Sequence, residues 1–453
     1  MKFTKIQQGW AMYDWANSVY SLVISTVLFP IYYEEVTKNE TNSVLFLGRE
    51  WENTVIYSYV IAASFLTISI LSPYFAAMAD RTGRRKVFMR TFMIIGAIST
   101  ASMSFFTSQN AWLGLCLAFF ASVGFTGSIV FYNSFLPVIA PKEIQDRLSA
   151  RGFSLGYFGS ALLLILCLVL VQMPETFGFD DAGIASRASF VLTGIWWLGF
   201  GLPAIQKLPK DEVKDIFEGK LFWKSWEELI LVFHEFRKIK PLRVFLGGFF
   251  WYSVGMQTII LLAAVFGSKV LGLESAELIL TILIIQFVAI AGSFVFARLS
   301  ERTTNLYAIK IGVAVWMLIC FAAYFVQTAN QFYIVGGCLG FVMGAVQSLS
   351  RSTYSKMLPP TEDHTTYFSF YDVMEKLATT FGMFSIGLLE ALTGDLRNSA
   401  LALTVFFALG LFQIFQSPWV REERHRPRGL TYLRKNHQSQ FLDRILLRKR
   451  SHS

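Results

Sequence analysis

Three ionisable residues stand close together inside a long apolar stretch: Asp372, Glu375 and Lys376. Each costs roughly 2.5–3.5 kcal/mol at the centre of a membrane helix, so each requires a partner or a wet cavity. Lys376 follows Asp372 by one helical turn, and the two could neutralise each other as a structural ion pair. Alternatively, Lys376 binds the carboxylate of a substrate while Glu375 takes a proton or a substrate ammonium. The sequence leaves both interpretations open.

Five further polar residues lie in apolar stretches and are candidates for the same chemistry. Asp14 is an alternative to Glu375 as the acceptor of a proton or an ammonium group. Arg351 lies near the end of its stretch, where it either gates a path or extends its guanidinium to the membrane interface. Asn17, Asn133 and Gln257 either hydrogen-bond a substrate or hold helices together.

Several kinds of catalytic site are missing from the sequence. The five histidines lie outside the apolar stretches, and the four cysteines lie inside them without forming a CxxC pair. The sequence also has no phosphate-binding P-loop. We therefore expect no enzyme activity, no cofactor, no metal site and no ATP-driven pumping by this chain.

The stretches that carry these residues have the length and composition of membrane-spanning helices. Of the 453 residues, 54% are hydrophobic and 16% charged, whereas a soluble domain carries about 25% charged residues. The runs are too continuously apolar for the strands of a barrel, so we predict an all-α membrane protein with about twelve transmembrane helices. They lie at about 9–33, 54–78, 87–107, 111–140, 152–172, 188–206, 243–267, 276–297, 305–327, 332–358, 366–390 and 398–417.

Basic residues are distributed unevenly between the two sides of the predicted bundle. With the N-terminus inside, the outer loops contain five of the 40 Lys and Arg residues, namely Lys38, Arg49, Arg187, Lys269 and Arg397. Inner loops of membrane proteins are rich in Lys and Arg, so both termini are predicted to be cytoplasmic. The sequence shows neither a cleaved signal peptide nor an organellar address, so we expect the cell (inner) membrane of a bacterium. The basic tail suits anionic lipid headgroups better than nucleic acid, which we do not expect as a partner.

The longest inner loop sets the predicted domain boundaries. It separates an N-terminal six-helix bundle (residues 1–206) from a C-terminal one (243–417) by a linker (207–242), and a basic cytoplasmic tail (418–453) follows. Helical spacing of apolar residues in the linker predicts an amphipathic helix on the cytoplasmic membrane face, with a partner-docking helix as the alternative. These residues are Phe222, Trp226, Leu229, Ile230, Phe233 and Phe236.

A weak internal repeat relates the two bundles. Three landmarks of the first bundle recur in the second at one shift of 218 residues: Asp80 and Arg298, Asn133 and Arg351, and Pro141 and Pro359. A duplicated six-helix unit places two bundles face to face around a central path, an arrangement typical of alternating-access transporters.

The loop between the second and third stretches carries a recognisable signature. Residues 76–86 read AAMADRTGRRK, which resembles the loop signature of the major facilitator superfamily, with Ala76 where glycine is usual. The resemblance implies that this loop latches the two bundles together in one conformation. The region around Arg298 lacks the acid and the glycine, so we expect a one-sided latch. The predicted latch residues are Asp80, Arg81, Gly83, Arg84 and Arg85.

Other segments resemble a narrower branch of that superfamily, the vacuole-effluxer-like transporters related to an autophagy-linked amino-acid exporter of fungal vacuoles. They read YDWANS at 13–18, FYNSFLP at 131–137, SARGF at 149–153 and QSLSRS at 347–352. The resemblance implies amino-acid export. The resemblance also leads us to expect an Asn-Asp pair in the seventh stretch. Residues 252–257 read YSVGMQ instead, so an acid that couples protons is lost there or lies elsewhere.

These observations predict a secondary active transporter that moves a small polar solute by alternating access. Its expected partners are that solute, membrane lipids, and protons or another coupling ion, and we expect it to act as a monomer. A channel or sensor without a transport cycle is the alternative, and a lipid-modifying membrane enzyme is a weaker one.

Overall fold

The computed structural model describes residues 2–39, 42–213, 221–393 and 396–419. Residues Met1–Gln416 form one compact unit, and only residues 417–419 of the second unit, Ser417–Ser453, are described. Of the basic tail predicted at 418–453, all but the first two residues therefore lie outside the described residues.

The first half contains six membrane-length helical segments, here called spans 1–6. Span 1 changes from α-helix (Lys5–Val19) to π-helix (Tyr20–Leu28) and back to α-helix (Phe29–Thr37). The other five are Asn53–Thr82, Arg85–Ser102, Ala111–Ser134 with its extension Leu136–Ile139, Gln145–Gln172 and Ala182–Lys207. Short 3₁₀ turns occupy Met103–Phe105, Ser108–Asn110, Lys142–Ile144 and Pro174–Phe177.

The second half contains spans 7–12, and a linker helix precedes it. The linker helix is Leu221–Lys238. The spans are Lys240–Leu271, Ser275–Arg302, Asn305–Phe325, Ala329–Met357, His364–Thr393, and Leu396–Ala402 with Thr404–Phe415. Among the described residues, eleven segments are long and apolar enough to cross a membrane. Span 11 is the twelfth, and its 30 residues are long enough to cross although it carries Asp372, Glu375 and Lys376.

The repeat is visible in the helix boundaries. Span 10 begins at Ala329 and ends at Met357, whereas span 4 with its extension begins at Ala111 and ends at Ile139. Both differences, 329 − 111 and 357 − 139, equal the shift of 218 residues found in the sequence. The two halves contact each other through span 5 with spans 8 and 10, and through span 11 with spans 2 and 4.

Glycines allow spans 8 and 10 to pack backbone against backbone. A Cβ atom on Gly340 would lie 2.4 Å from the Ile285 carbonyl oxygen, and one on Gly344 would lie 2.2 Å from that of Ala289. No larger residue fits at either distance, so the glycine spacing of span 10 serves close helix packing, as is common in membranes.

A small hairpin lies between spans 1 and 2 and was not predicted. Strand β1 (Ser43–Phe46) pairs antiparallel with strand β2 (Arg49–Glu52), and the turn uses Gly48 with a positive φ of 77°. The hairpin leads directly into Asn53, the first residue of span 2. We call the opposite end of the bundle, which carries loop 80–86, the inner end, after the side predicted for that loop.

The turn after span 2 gives a testable requirement for glycine. Gly83 has a φ of 67°, and a Cβ atom there would lie 1.8 Å from the carbonyl oxygen of Glu212 in the linker. We expect Gly83→Ala to lower the unfolding temperature, because it adds this clash to a left-handed backbone cost of about 1–2 kcal/mol. Gly178→Ala is the control: its φ is 79°, but no atom lies within 4 Å. Equal temperature shifts in the two variants would show that docking of the linker contributes nothing.

Candidate functional site

Arg351 of span 10 reaches across to three spans of the first half. Its Nη2 and Nη1 atoms lie 3.1 and 3.2 Å from Oδ2 of Asp14 in span 1. Its Nε donates to the Ser149 hydroxyl at 2.9 Å and Nη2 donates to the Ser149 carbonyl at 3.0 Å, both in span 5. A longer contact of 3.4 Å joins Nη1 to Oδ1 of Asn133 in span 4. One guanidinium therefore links the two halves.

Aromatic rings surround this guanidinium and keep it from the interface. Its central carbon lies 4.2 Å from the ring centre of Phe153 and 4.7 Å from that of Trp10, at cation–π distance. The Tyr132 hydroxyl donates to Asp14 at 2.7 Å. With 3% of Arg351 exposed, the interfacial position that the sequence left open for it is wrong. Charge-assisted hydrogen bonds to Asp14, and further bonds to Ser149, satisfy the guanidinium inside the protein.

A second buried ion pair joins the halves nearer the inner end. Lys356 of span 10 lies 2.6 Å from Asp146 of span 5. Asp146 also accepts hydrogen bonds from Asn305 at 2.7 Å and Ser300 at 2.9 Å, and Lys356 donates to the Asn305 side chain at 3.0 Å. The sequence reasoning missed this pair. Lys356 falls inside the predicted tenth stretch. The argument that a charge within a membrane helix needs a partner, which was applied to Asp372, would therefore have identified Lys356 as well.

Asp80 of the signature loop caps the start of span 11. Its carboxylate accepts hydrogen bonds from the backbone of Thr366 at 2.8 Å and of Thr365 at 3.3 Å, and from the Thr366 hydroxyl at 2.9 Å. Arg85 lies 2.7 Å from the same carboxylate and donates to the Glu362 carbonyl. A carboxylate at a helix N-terminus satisfies free N–H groups and interacts favourably with the helix dipole. Span 2 is thereby tied to span 11.

The remaining loop residues contact the linker. Arg81 pairs with Glu228 of the linker helix at 3.1 Å. Gly83 makes the turn described above, and Arg84 is the exposed N-cap residue of span 3. Asp211 accepts from the backbone N–H of Lys86 at 2.8 Å, so the linker caps span 3 in turn. The loop thus connects span 2, span 3 and the linker.

The sequence led us to expect a one-sided latch, but the second half makes a corresponding contact with the first. Span 8 ends at the start of span 5, where Glu301 pairs with Arg147 and Ser300 donates to Asp146. Residues 146 and 147 precede 364 and 365 by the same 218 positions that define the repeat, so both halves place a helix end against the start of a span in the other half. The second latch uses a glutamate and a serine where the first uses an aspartate, which is why the sequence motif did not show it.

Asp363, just before span 11, gives this end of the molecule a pH dependence. Burial, and to a smaller extent the charges of Asp80 and Glu228, raise the pKa of its carboxyl to about 6 against the opposing effects of Thr361 and Arg85. Because the folded-state pKa lies above the ordinary value, ionised Asp363 destabilises the fold above about pH 6, and that cost disappears as the pH falls toward 4.

We therefore expect Asp363→Asn to raise the unfolding temperature above pH 6 and to have little effect below about pH 4. Unfolding measured across this range by intrinsic fluorescence in detergent checks the prediction. Asp180→Asn, at an exposed position near the opposite end, is the control. A stabilisation by Asp363→Asn that is the same at all pH values would contradict the assignment.

The cluster predicted in span 11 is present at the contact between the halves. Lys376 lies 3.8 Å from Asp372 and 3.9 Å from Glu375, and Gln257 of span 7 donates to Glu375 at 2.7 Å. The ammonium group also lies 5.8 Å from the ring centre of Phe65 in span 2. Both oxygens of Asp372 are buried and accept no hydrogen bond from the described part of the chain. We call these residues, without Phe65, the span 11 cluster.

The structure therefore sorts the predicted site residues into separate groups. Asp14, Asn133 and Arg351 lie together at a buried contact between the two halves, while Gln257 belongs to the span 11 cluster. Asn17 is buried in span 1 three residues after Asp14, and its Nδ2 atom has no hydrogen-bond partner among the described residues. In the same part of the chain, no group of three His, Cys, Asp or Glu residues is placed to hold a metal ion.

Residues 4–427 match the family described as vacuole effluxer Atg22 like. The chain belongs to this family. A relative from Bacillus subtilis (strain 168), named uncharacterized MFS-type transporter YxiO, is 32% identical over 90% of this chain and 94% of its own length. Autophagy-related protein 22 of Coccidioides immitis (strain RS) is 23% identical, over 86% of this chain and 82% of its own length.

Solved structures confirm the predicted major facilitator fold. The transporter FucP in its outward conformation has a TM-score of 0.67 at 14% identity, and the alignment covers 91% of this chain and 97% of FucP. The proton:xylose symporter XylE gives the same TM-score and identity, covering 91% of this chain and 95% of its own. The chain is thus a multi-pass major facilitator transporter of the Atg22-like branch, and its relatives are transporters, not enzymes.

Proposed function

We propose that this transporter moves a small zwitterionic solute of the amino-acid class and couples its movement to protons. The proposal places the solute at the span 11 cluster, where Lys376 binds the carboxylate and Glu375, held by Gln257, receives the ammonium group. The gate of Asp14 and Arg351 closes the path on the inner side. Both termini are proposed to be cytoplasmic, in the cell membrane, and the active unit to be a monomer.

The charge balance of the cluster is the observation that carries this proposal. Two carboxylates, Asp372 and Glu375, stand within 4 Å of one ammonium group, so the cluster carries an excess negative charge when all three are ionised. An unbalanced charge within the membrane is expensive, and a proton or a substrate ammonium group removes it. Both oxygens of Asp372 lack a hydrogen-bond donor among the described residues, so Asp372 is the carboxylate that we propose to take up the proton.

The position of the cluster supports alternating access. It lies between span 11 of one half and span 2 of the other, where Phe65 faces Lys376. Toward the inner end the halves are joined by Arg351 with Asp14, by Lys356 with Asp146, and by both latches. A solute at the cluster can reach the inner side only after these contacts separate, whereas their reformation excludes it.

Uptake into liposomes tests the function directly. Purified protein is reconstituted and offered radiolabelled amino acids, dipeptides and sugars, with and without an imposed pH gradient. We expect saturable uptake of an amino acid that responds to the gradient, and Asp372→Asn should abolish that response while uptake continues. Asp180→Asn, an exposed loop change, is the control. Uptake of sugars alone, or wild-type uptake indifferent to the gradient, would contradict the proposal.

A further inference from the structure

The linker helix, Leu221–Lys238, has one side seated on the bundle. Ser225 and Val232 are buried at positions seven residues apart, and thus face the same direction. Glu228, on the same side, pairs with Arg81 at the end of span 2. The Phe236 ring lies 5.4 Å from that of Phe370 in span 11. The helix therefore contacts both halves at the inner end.

A second side of this helix is apolar and exposed. Trp226, Ile230 and Phe233 follow one another at spacings of four and three residues, so they form one stripe. Their exposed fractions are 47%, 43% and 44%. The third side is mixed, with Glu227 and Glu235 exposed and Leu231 between them 59% exposed. An apolar stripe of this size is unusual on a surface that faces water.

The position of the helix sets its depth relative to the bilayer. Span 7 begins at Lys240, two residues after the linker helix ends, so the helix leads directly into a membrane-spanning segment. Phe233 and Phe236 both contact Phe370 in the second turn of span 11. The linker helix therefore lies beside the inner ends of two spans, and amphipathic helices in such a position lie about 5–10 Å into the headgroup and acyl boundary.

Charge at the junction indicates which lipids face the helix. Arg237, Lys238, Lys240 and Arg243 are all exposed and lie within seven residues at the point where the helix meets span 7. Each basic residue near a membrane surface gains about 1 kcal/mol from anionic headgroups. The surface formed by the apolar stripe and these four residues therefore suits an anionic phospholipid leaflet.

We propose that the linker helix is a lipid-seated strap that holds the inner end closed. Its stripe of Trp226, Ile230 and Phe233 lies in the inner leaflet, and its seated side joins span 2 through Arg81 to span 11 through Phe370. Both attachments exist together only while those spans are close. Seating the stripe in the bilayer thus favours the inner-closed state, and the anionic lipid content of the leaflet tunes the transport cycle.

Spin labels on two faces of the helix test the seating in the whole protein. Ile230→Cys and Glu227→Cys are labelled separately after the four native cysteines are replaced by alanine, in vesicles of phosphatidylglycerol and phosphatidylethanolamine. We expect oxygen to increase the relaxation rate of the label at position 230 and a water-soluble nickel chelate to leave that rate unchanged. At position 227 the chelate should increase the rate and oxygen should have little effect. Access of the chelate to position 230 would overturn the proposal. Protection of 230 from both reagents would also overturn it, because a protein or a second copy would then cover the stripe.

The strap function has its own readout, which needs no transported solute and so is independent of the proposed substrate. A disulfide between Arg147→Cys and Glu301→Cys reports the closed inner end. We expect Ile230→Glu to lower the rate of disulfide formation about tenfold, because one apolar side chain no longer enters the bilayer. Glu227→Gln should leave the rate unchanged. Vesicles of phosphatidylcholine alone should lower the rate in the same direction. An unchanged rate in Ile230→Glu would refute the strap.

Discussion

Replacing Arg351 by glutamine is expected to cost about 3–5 kcal/mol of stability and to reduce transport severely, because it leaves the Asp14 carboxylate buried without its cation. Among the described residues, the Asp14 carboxylate then keeps one hydrogen-bond donor, the hydroxyl of Tyr132 at 2.7 Å. The contacts of Arg351 with Ser149 and Asn133 are lost as well. Since these contacts join the halves, the inner-closed state loses more free energy than the inner-open state does.

A double variant that removes both charges shows whether the Asp14–Arg351 ion pair, rather than the packing of the two side chains, accounts for the loss of stability. Asp14→Asn with Arg351→Gln removes both charges, and we expect it to be markedly more stable than either single variant, since no unpaired charge remains. Thermal unfolding in detergent gives the stabilities, and uptake gives the transport rates. Arg151→Gln is the control, because Arg151 is an exposed arginine of span 5 whose guanidinium lies 5.6 Å from the centre of the Phe3 ring. Additive losses in the double variant would contradict the gate.

Removal of the Lys376 ammonium group is expected to reduce uptake at least about a hundredfold, the effect of losing a desolvated charge pair of about 3 kcal/mol with the substrate. Lys376→Arg retains the charge and should retain part of the uptake, with weaker affinity because the guanidinium has a different shape. Lys310→Ala is the control: this lysine lies over the Phe415 ring in the second half, 3.9 Å from its centre.

The same variants decide between a binding lysine and a structural ion pair. If Lys376 serves only to neutralise Asp372, then Lys376→Ala combined with Asp372→Ala restores both stability and uptake. Under our proposal the double variant recovers stability but not uptake, because no group remains to hold the substrate carboxylate. Uptake unchanged in Lys376→Ala would remove the cluster from the transport path.

The sequence predicted the fold well because hydrophobic length is a local property. Each apolar stretch became a helix, and the 218-residue shift reappears in the boundaries of spans 4 and 10. The start of span 5 shows the limit of this reasoning. Its first turns are polar, so the stretch was marked from 152, whereas the helix begins at Gln145. Asp146 and Ser149 fell outside the predicted span for that reason.

The partners of buried charges were harder to predict. Asp372 and Lys376 are one turn apart on one helix, so their contact follows from spacing. Arg351 and Asp14 are separated by 337 positions in the chain, and only the packing of the two halves brings them together. The distance of Arg351 from the end of its stretch was compatible with either a gate or an interfacial position, and only the packed structure shows that its partner is the buried carboxylate of Asp14.

The requirement that the inner ends of the two halves separate during every cycle is tested most directly by joining them covalently. Arg147→Cys and Glu301→Cys replace a pair of contacting side chains at the ends of spans 5 and 8, in protein whose four native cysteines are alanine. We expect oxidation to a disulfide to stop uptake in liposomes and reduction to restore it. Uptake by either single cysteine variant should not respond to oxidation or reduction. Undiminished uptake by fully cross-linked protein would contradict alternating access in this molecule.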